Sequence, residues 1–299
     1  MTPTSVERMI RSALPIVRLA QAYLPLSLAR WVEKRSAGRV RLPDDVAHEV
    51  VSADGVRGEW FIPQDSPKDR VLLYLHGGGF VYGMTSLHRD MVVYLARKMG
   101  TRALMVDYRV APEHPFPAAL DDCTATYRWL LKQGVPARSV VVAGDSAGGN
   151  LTITTLMRLR DSGDPLPAAA ACLSPVADLT EWESVKPFSD PLLHPKAVAM
   201  FNRSYVAHND AREAMISPVF GDWRGLPPLL LHAGEDEILC EDAVRIRALA
   251  AAAGVEVRLE VFPRMWHVWQ LFLTLPQTVQ SLEDIAQFFA SHLLLPPDP

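Results

Sequence analysis

The 299-residue chain is poor in cysteine, in charge of either excess sign and in long apolar runs, and each scarcity removes a class of protein. Its three cysteines, Cys123, Cys172 and Cys240, stand far apart in apolar surroundings, without C-x-x-C or metal-ligand spacing. That excludes a disulfide framework and suits reduced, buried thiols in a cytoplasmic protein. With 30 basic and 34 acidic residues, net −4, and no basic stripe, nucleic acid is not expected as a partner. The apolar stretch Ala13 to Leu28 is interrupted by Arg18 and broken by Pro15 and Pro25, and no small-residue cleavage site follows it. Neither a signal peptide nor stable membrane insertion is therefore expected; the stretch reads as an amphipathic surface or cap helix, with an interfacial role as the weaker reading. Internal repeats and low-complexity segments are missing, and the end Pro296-Pro297-Asp298-Pro299 is expected to fray.

What is present is ordinary globular material, 49% hydrophobic and 21% charged. After helical pieces in residues 1–45, the runs Val46 to Val51 and Val56 to Ile62 flank Ala53-Asp54-Gly55, a hairpin signal because Asp-Gly accommodates positive φ. From Val71 onward short apolar runs alternate with amphipathic ones. Strands are expected at Val71 to Leu75, Ala103 to Tyr108, Val140 to Ala143, Ala168 to Leu173, Leu229 to Ala233 and Val257 to Phe262. Their near-continuous apolarity implies cover on both faces, as in a parallel sheet. Helical stripes run through Leu120, Cys123, Tyr127, Leu130 and Leu131, and through Val279, Leu282, Ile285, Phe289 and Leu293; a run from Ile246 to Ala253 stops at Gly254. The alternation predicts a doubly wound α/β fold, a mostly parallel central sheet flanked by helices. Residues 181–215 break the rhythm. With residues 1–45 they are assigned to a helical cap over the carboxyl edge of the sheet, leaving 46–180 and 216–299 as the two parts of the core.

Gly144-Asp145-Ser146-Ala147-Gly148 sits where a strand turns into a helix, with small residues two places either side of the serine. This is the G-x-S-x-G nucleophile elbow; the alternative is a glycine-rich helix start with a capping serine. A serine hydroxyl needs an adjacent base. Of nine histidines, His267 follows the last strand and would reach the carboxyl edge of the sheet, whereas His48, His88, His194, His208 and His292 read as surface or packing residues. Three carboxylates, Glu235, Asp236 and Glu237, follow the preceding strand and compete for the orienting role, the rival being solvated charges at a helix start. His76-Gly77-Gly78-Gly79-Phe80 supplies a glycine loop. The amides of Gly78 and Gly79, with that of Ala147, would form an oxyanion hole; a phosphate cradle would need P-loop or G-x-G-x-x-G spacing that this loop lacks.

Taken together, HGGGF at His76 to Phe80, YRxAPExxFPAAxxD from Tyr108 to Asp122, GDSAGGN at Gly144 to Asn150, LSPxxDLT from Leu173 to Thr180 and the terminal histidine loop resemble the hormone-sensitive-lipase-like carboxylesterases of the α/β-hydrolase superfamily. The resemblance spans about Val71 to His267 and implies an α/β-hydrolase fold with a helical cap, serine esterase activity on short- to medium-chain acyl esters, a small-molecule ester substrate, and no metal or organic cofactor. The family's acid loop, D-P-L-x-D-E, laid on Glu237-Ile238-Leu239-Cys240-Glu241-Asp242, selects Glu237 as the acid, with glutamate in place of aspartate and Asp236 as its rival one residue away. In the YRxAPE segment Arg109 and Glu113 are expected to pair and hold the oxyanion loop; Phe80 and Tyr82 near that loop, Trp266 beside the base, and Phe201 and Tyr205 in the cap read either as lining the substrate pocket or as core aromatics. Two other readings keep the scaffold: an amidase or arylformamidase using the same triad, and a non-catalytic ligand receptor, against which the presence of His267 argues. Oligomeric state is left open, a homodimer included.

Overall fold

In the computed structural model residues 4–36, 42–180 and 190–293 are described; residues 181–189 of the inserted segment and the end expected to fray lie outside them. Eight strands form one sheet: β1 (Val46–Ala53), β2 (Val56–Pro63), β3 (Val71–Leu75), β4 (Arg102–Val106), β5 (Val140–Asp145), β6 (Ala169–Leu173), β7 (Leu229–Gly234) and β8 (Val257–Phe262). Their order is β1-β2-β4-β3-β5-β6-β7-β8. The hairpin β1–β2 pairs antiparallel internally and onto β4, and every pairing from β4 to β8 is parallel. The doubly wound α/β architecture read from the alternation, and the α/β-hydrolase fold that the resemblance implies, are thus what the chain adopts.

Strand periodicity builds two cores. In β3, Leu73 and Leu75 face a cluster that includes Leu120, Tyr127 and Leu130 of α4 (Ala118–Lys132) and Leu151 and Leu156 of α5 (Ala147–Asp161). The alternate residues Leu72 and Tyr74 face Met91 and Leu95 of α3 (Ser86–Met99) and Leu282, Ile285 and Phe289 of α8 (Pro276–His292). Continuous apolar strands are what a sheet buried on both faces requires. β8 departs from that expectation. It is the outermost strand, its residues from Val257 to Val261 are half-buried or exposed and only Phe262 is buried, because a sheet edge has one strand neighbour and less helix cover. The Ala-rich segment forms α7 (Cys240–Ala252), followed by Gly254 at φ 78°.

At the carboxyl ends of the strands lie three further helices: α1 (Ser5–Tyr23), α2 (Leu26–Ser36) and α6 (Pro195–Val206). Thr4 caps α1 by accepting the Glu7 amide, and α1 packs against α6. On its inner side α1 sends Val6, Ile10 and Leu14 into a third cluster with Phe262, Met265, Trp266 and Trp269.

Candidate active site

Five strands that are consecutive neighbours across the sheet deliver one group each from their carboxyl ends: the glycine loop after β3, Ser146 after β5, Ser174 after β6, Glu237 in the loop after β7 and His267 in the loop after β8. This edge is where open α/β sheets bind ligands. Convergence therefore follows from strand order.

Ser146 stands at the strand-to-helix turn with φ 54° and ψ −118°, a conformation costly for a residue bearing a Cβ, on the order of 1–3 kcal/mol. The surrounding contacts hold it there. A Cβ on Gly148 would fall 1.9 Å from the Leu75 carbonyl oxygen and one on Gly144 2.3 Å from that of Gly148, so only glycine lets strand, turn and helix approach this closely. The Ser146 amide donates to the Leu173 carbonyl at 2.8 Å, fixing the turn to β6.

Ser146 Oγ lies 2.9 Å from His267 Nε2. On the far side of the ring, Nδ1 is 3.5 Å from Glu237 Oε2, ion-pair distance and slightly longer than a good hydrogen bond. All three residues are buried. The rival acid is turned elsewhere, since the Asp236 carboxylate pairs with Arg11 of α1. Burial pulls the His267 pKa down, but the hydrogen-bonding and charge of Glu237 outweigh it and the net shift is upward. Burial pushes the Glu237 carboxyl up, against the opposing pull of His267 and Ser174.

Two supporting groups escaped the sequence reading. Ser174, in the turn after β6 at φ 48°, donates its hydroxyl to Glu237 Oε2 at 2.6 Å and accepts the Val268 amide at 3.2 Å, tying acid loop to base loop. Asp145, inside the elbow motif itself, accepts the Gly77 amide at 2.9 Å and the Tyr74 hydroxyl at 2.8 Å through Oδ1, while Oδ2 is 3.3 Å from His88 Nε2. His88 Nδ1 accepts the Thr85 amide at 3.1 Å, so its ring proton sits on Nε2, facing Asp145. Burial raises the Asp145 pKa, yet His88, Tyr74 and His76 together bring it below the ordinary value. His88, read from sequence as surface or packing, is buried and reaches the cavity. The LSP and GDS motifs carried the signal for Ser174 and Asp145; only the fold supplies their partners.

The predicted ion pair in the YRxAPE segment is corrected. Arg109 binds Asp122 with its guanidinium and its backbone amide, and Glu113, largely exposed, pairs with Arg30 of α2. Asp122 lies on the buried side of the first turns of α4, within reach of Arg109, while Glu113 points outward.

A cavity of about 150 Å³ opens beside Ser146. Gly78 and Gly79 line it at φ 117° and 60°, as do Phe80, Tyr82 and Phe201. Ala147 opens α5, where first-turn amides lack intrahelical acceptors. Tyr205 and Trp266 stand behind the wall. Tyr205 stacks on Phe80, centroids 3.8 Å apart, and Trp266 is fully buried in the third cluster. α6 adds Val198 and Asn202 to the wall and α1 adds Gln21. Asp190 accepts the amides of Leu192 and Leu193, both lining the cavity, and through its other oxygen that of Ile238, anchoring this wall to the acid loop. Among the described residues no group of three His, Cys, Asp or Glu has metal-holding geometry.

Comparison with known proteins gives one consistent result. A family model described as alpha/beta hydrolase fold matches residues 72–271. An acetyl-hydrolase of Streptomyces hygroscopicus is 40% identical over 246 residues, 80% of this chain and 81% of that protein. Among solved structures, an esterase from the bacterial hormone-sensitive lipase family superposes with TM-score 0.87 at 36% identity, covering 98% of this chain and 100% of its own. The esterase EstE5, in a crystal soaked with p-nitrophenyl butyrate, has TM-score 0.87 at 36% identity, covering 96% of this chain and 98% of its own.

Proposed function

The chain belongs to the hormone-sensitive-lipase-like carboxylesterases of the α/β-hydrolase superfamily, and we propose that it hydrolyses short- to medium-chain acyl esters through an acyl-enzyme intermediate. The observation that carries the reading is the 2.9 Å approach of His267 Nε2 to Ser146 Oγ, on a strained turn at the floor of a cavity. In the proposed cycle Ser146 Oγ attacks the ester carbonyl carbon as His267 takes its proton, and the backbone amides of Gly78, Gly79 and Ala147 receive the developing oxyanion. His267 then protonates the departing alcohol. Water, activated by the same imidazole, releases the acid and restores Ser146. Glu237 sets the tautomer of His267, with Nδ1–H facing the carboxylate.

Size supports the acyl assignment. A cavity of about 150 Å³ accepts a benzene-sized group in proteins generally, so an acyl chain of up to about six carbons fits. The acetyl-hydrolase similarity points the same way. Residues 1–45 and 181–215 are proposed to act as the cap, because α1 and α6 supply cavity wall. Three free cysteines suit a reducing compartment.

Ser146→Ala assayed on p-nitrophenyl acetate and butyrate is expected to lose on the order of 10⁴-fold or more in kcat. Retention of activity within about tenfold of the parent would assign the chemistry to another group. A matched p-nitroanilide, turned over as fast as the ester, would move the reading to an amidase.

A further inference from the structure

Nine of the fourteen large apolar side chains exposed among the described residues fall in one short stretch, residues 9 to 32. On α1 they cannot be core positions displaced by chance, because the helix carries two apolar faces. Val6, Ile10 and Leu14 face the protein interior. Met9, Ala13, Ile16, Ala20 and Tyr23, at heptad-like spacing, form a second stripe facing outward, with Met9, Ile16 and Tyr23 at 65%, 72% and 62% exposure. On α2, the next helix in the chain and packed against α1, Leu28 and Trp31 are exposed as well, the latter at 56%. Apolar surface gathered into one contiguous patch, unlike singly scattered residues, marks an interaction surface.

The charge beside the stripe selects its occupant. Residues 4–36 hold six Lys and Arg against two Asp and Glu, in a chain whose net charge is −4; Arg11 and Arg30 are paired with Asp236 and Glu113, and the flanking charge comes from the others. Arg8 is exposed on the flank, the Arg35 guanidinium lies 5.0 Å from the Trp31 ring centre, and Lys196 Nζ stands 5.0 Å above Tyr23. Aliphatic and aromatic side chains bordered by cations form the pattern of helices that lie in an anionic lipid–water interface. A second copy of the chain would bring the same positive patch against itself.

We propose that α1 and α2 dock this protein on an anionic lipid surface, with the apolar stripe inserted at headgroup depth. Gln21 of the same α1 lines the cavity beside Ser146, so docking sets the cavity entrance at the lipid boundary. Esters with short acyl groups dissolved in the lipid then reach the serine without crossing water. That delivery step rests on the ester-hydrolase reading; the docking does not.

The test separates the two. Ser146→Ala protein is sedimented with vesicles of phosphatidylcholine, with and without phosphatidylglycerol. Binding to the anionic vesicles, weakened by salt, is expected, together with a blue shift of the Trp31 fluorescence that is lost in Trp31→Phe. The triple variant Ile16→Ser, Leu19→Ser, Trp31→Ser should lower vesicle partitioning by about tenfold or more while keeping its circular dichroism. On the catalytic background, that variant should retain kcat/KM for dissolved p-nitrophenyl acetate and lose the rate gain that anionic vesicles give for a vesicle-dissolved ester. Docking is overturned if the protein stays in the supernatant at low salt or if the triple variant binds unchanged. It is equally overturned if the parent elutes as a dimer that the triple variant dissociates, which would make a second copy the occupant. Vesicle binding without any ester turnover would retain the docking surface and refute the hydrolase reading.

Discussion

Ser174 spends its hydroxyl twice, donating to Glu237 and accepting from the Val268 amide, so the acid and the residue after the base share one tether. That geometry supports the proposal that glutamate serves where the family motif has aspartate. The longer side chain of Glu237, in the loop after β7, is steadied by Ser174 and comes within 3.5 Å of His267. Because the net shift of His267 is upward, and a general base must be neutral, the acid limb of kcat/KM is expected above the ordinary imidazole value of 6.5. Glu237→Gln should lower kcat on the order of 10⁴-fold and move that limb downward, by removing the charge that favours imidazolium. A limb that stays in place would assign the titration to a different group. Asp236→Asn, which loses the contact to Arg11, should remain within about threefold of the parent, as fits a surface ion pair of small energy. In stability terms, a raised histidine pKa contributes fully below the unfolded value and loses that contribution as pH rises through the folded one.

At the level of elements, a carboxylate on β2 ties hairpin to helix. Glu59 takes a two-bond grip from Arg89 of α3, with Arg57 and His48 alongside. Burial raises its pKa, but Arg89 above all outweighs burial and brings it to about 2. Depressed this way, Glu59 stabilises the fold fully above its unfolded value of 4.5 and loses that contribution as pH falls toward about 2. Glu59→Gln is expected to cost about 3 kcal/mol in urea unfolding at neutral pH, since it takes the buried carboxylate away from the half-buried Arg89; the gap from the parent should close across that acid window. An equal gap at every pH would mean that packing, not charge, supplies the stability. Elements of this kind were only partly legible in sequence. β3 and β8 fall where their apolar runs begin and end, because burial on at least one side writes itself into periodicity. That β8 is an edge, that Arg109 chooses Asp122 over Glu113, and that Tyr205 and Trp266 sit behind the cavity wall are matters of through-space neighbourhood, which periodicity does not encode.

For the whole molecule, the sheet order is the main fact. Motif order in the chain gave the sequence of loops, glycine loop, serine, acid, histidine, and the sheet sets them side by side; what motif order could not supply was the bracing by Asp145, Ser174 and Asp190, each joining segments far apart in sequence. Ser146 and His267 are separated by 121 residues, and their contact exists only when β5 through β8 have assembled in order. Long-range parallel pairing of this kind forms slowly. On dilution from denaturant, far-ultraviolet circular dichroism should therefore recover before esterase activity. Coincident recovery of the two would show that the sheet closes in one step.

The same strand order has a consequence for biosynthesis. Ser146 is made 121 residues before His267, which stands in the loop between β8 and α8. If His267 is the base, as proposed, a nascent polypeptide that carries the complete elbow but not yet His267 has no proton acceptor for Ser146. On the proposed mechanism, hydrolytic power waits until β8 and the loop that follows it have taken their place.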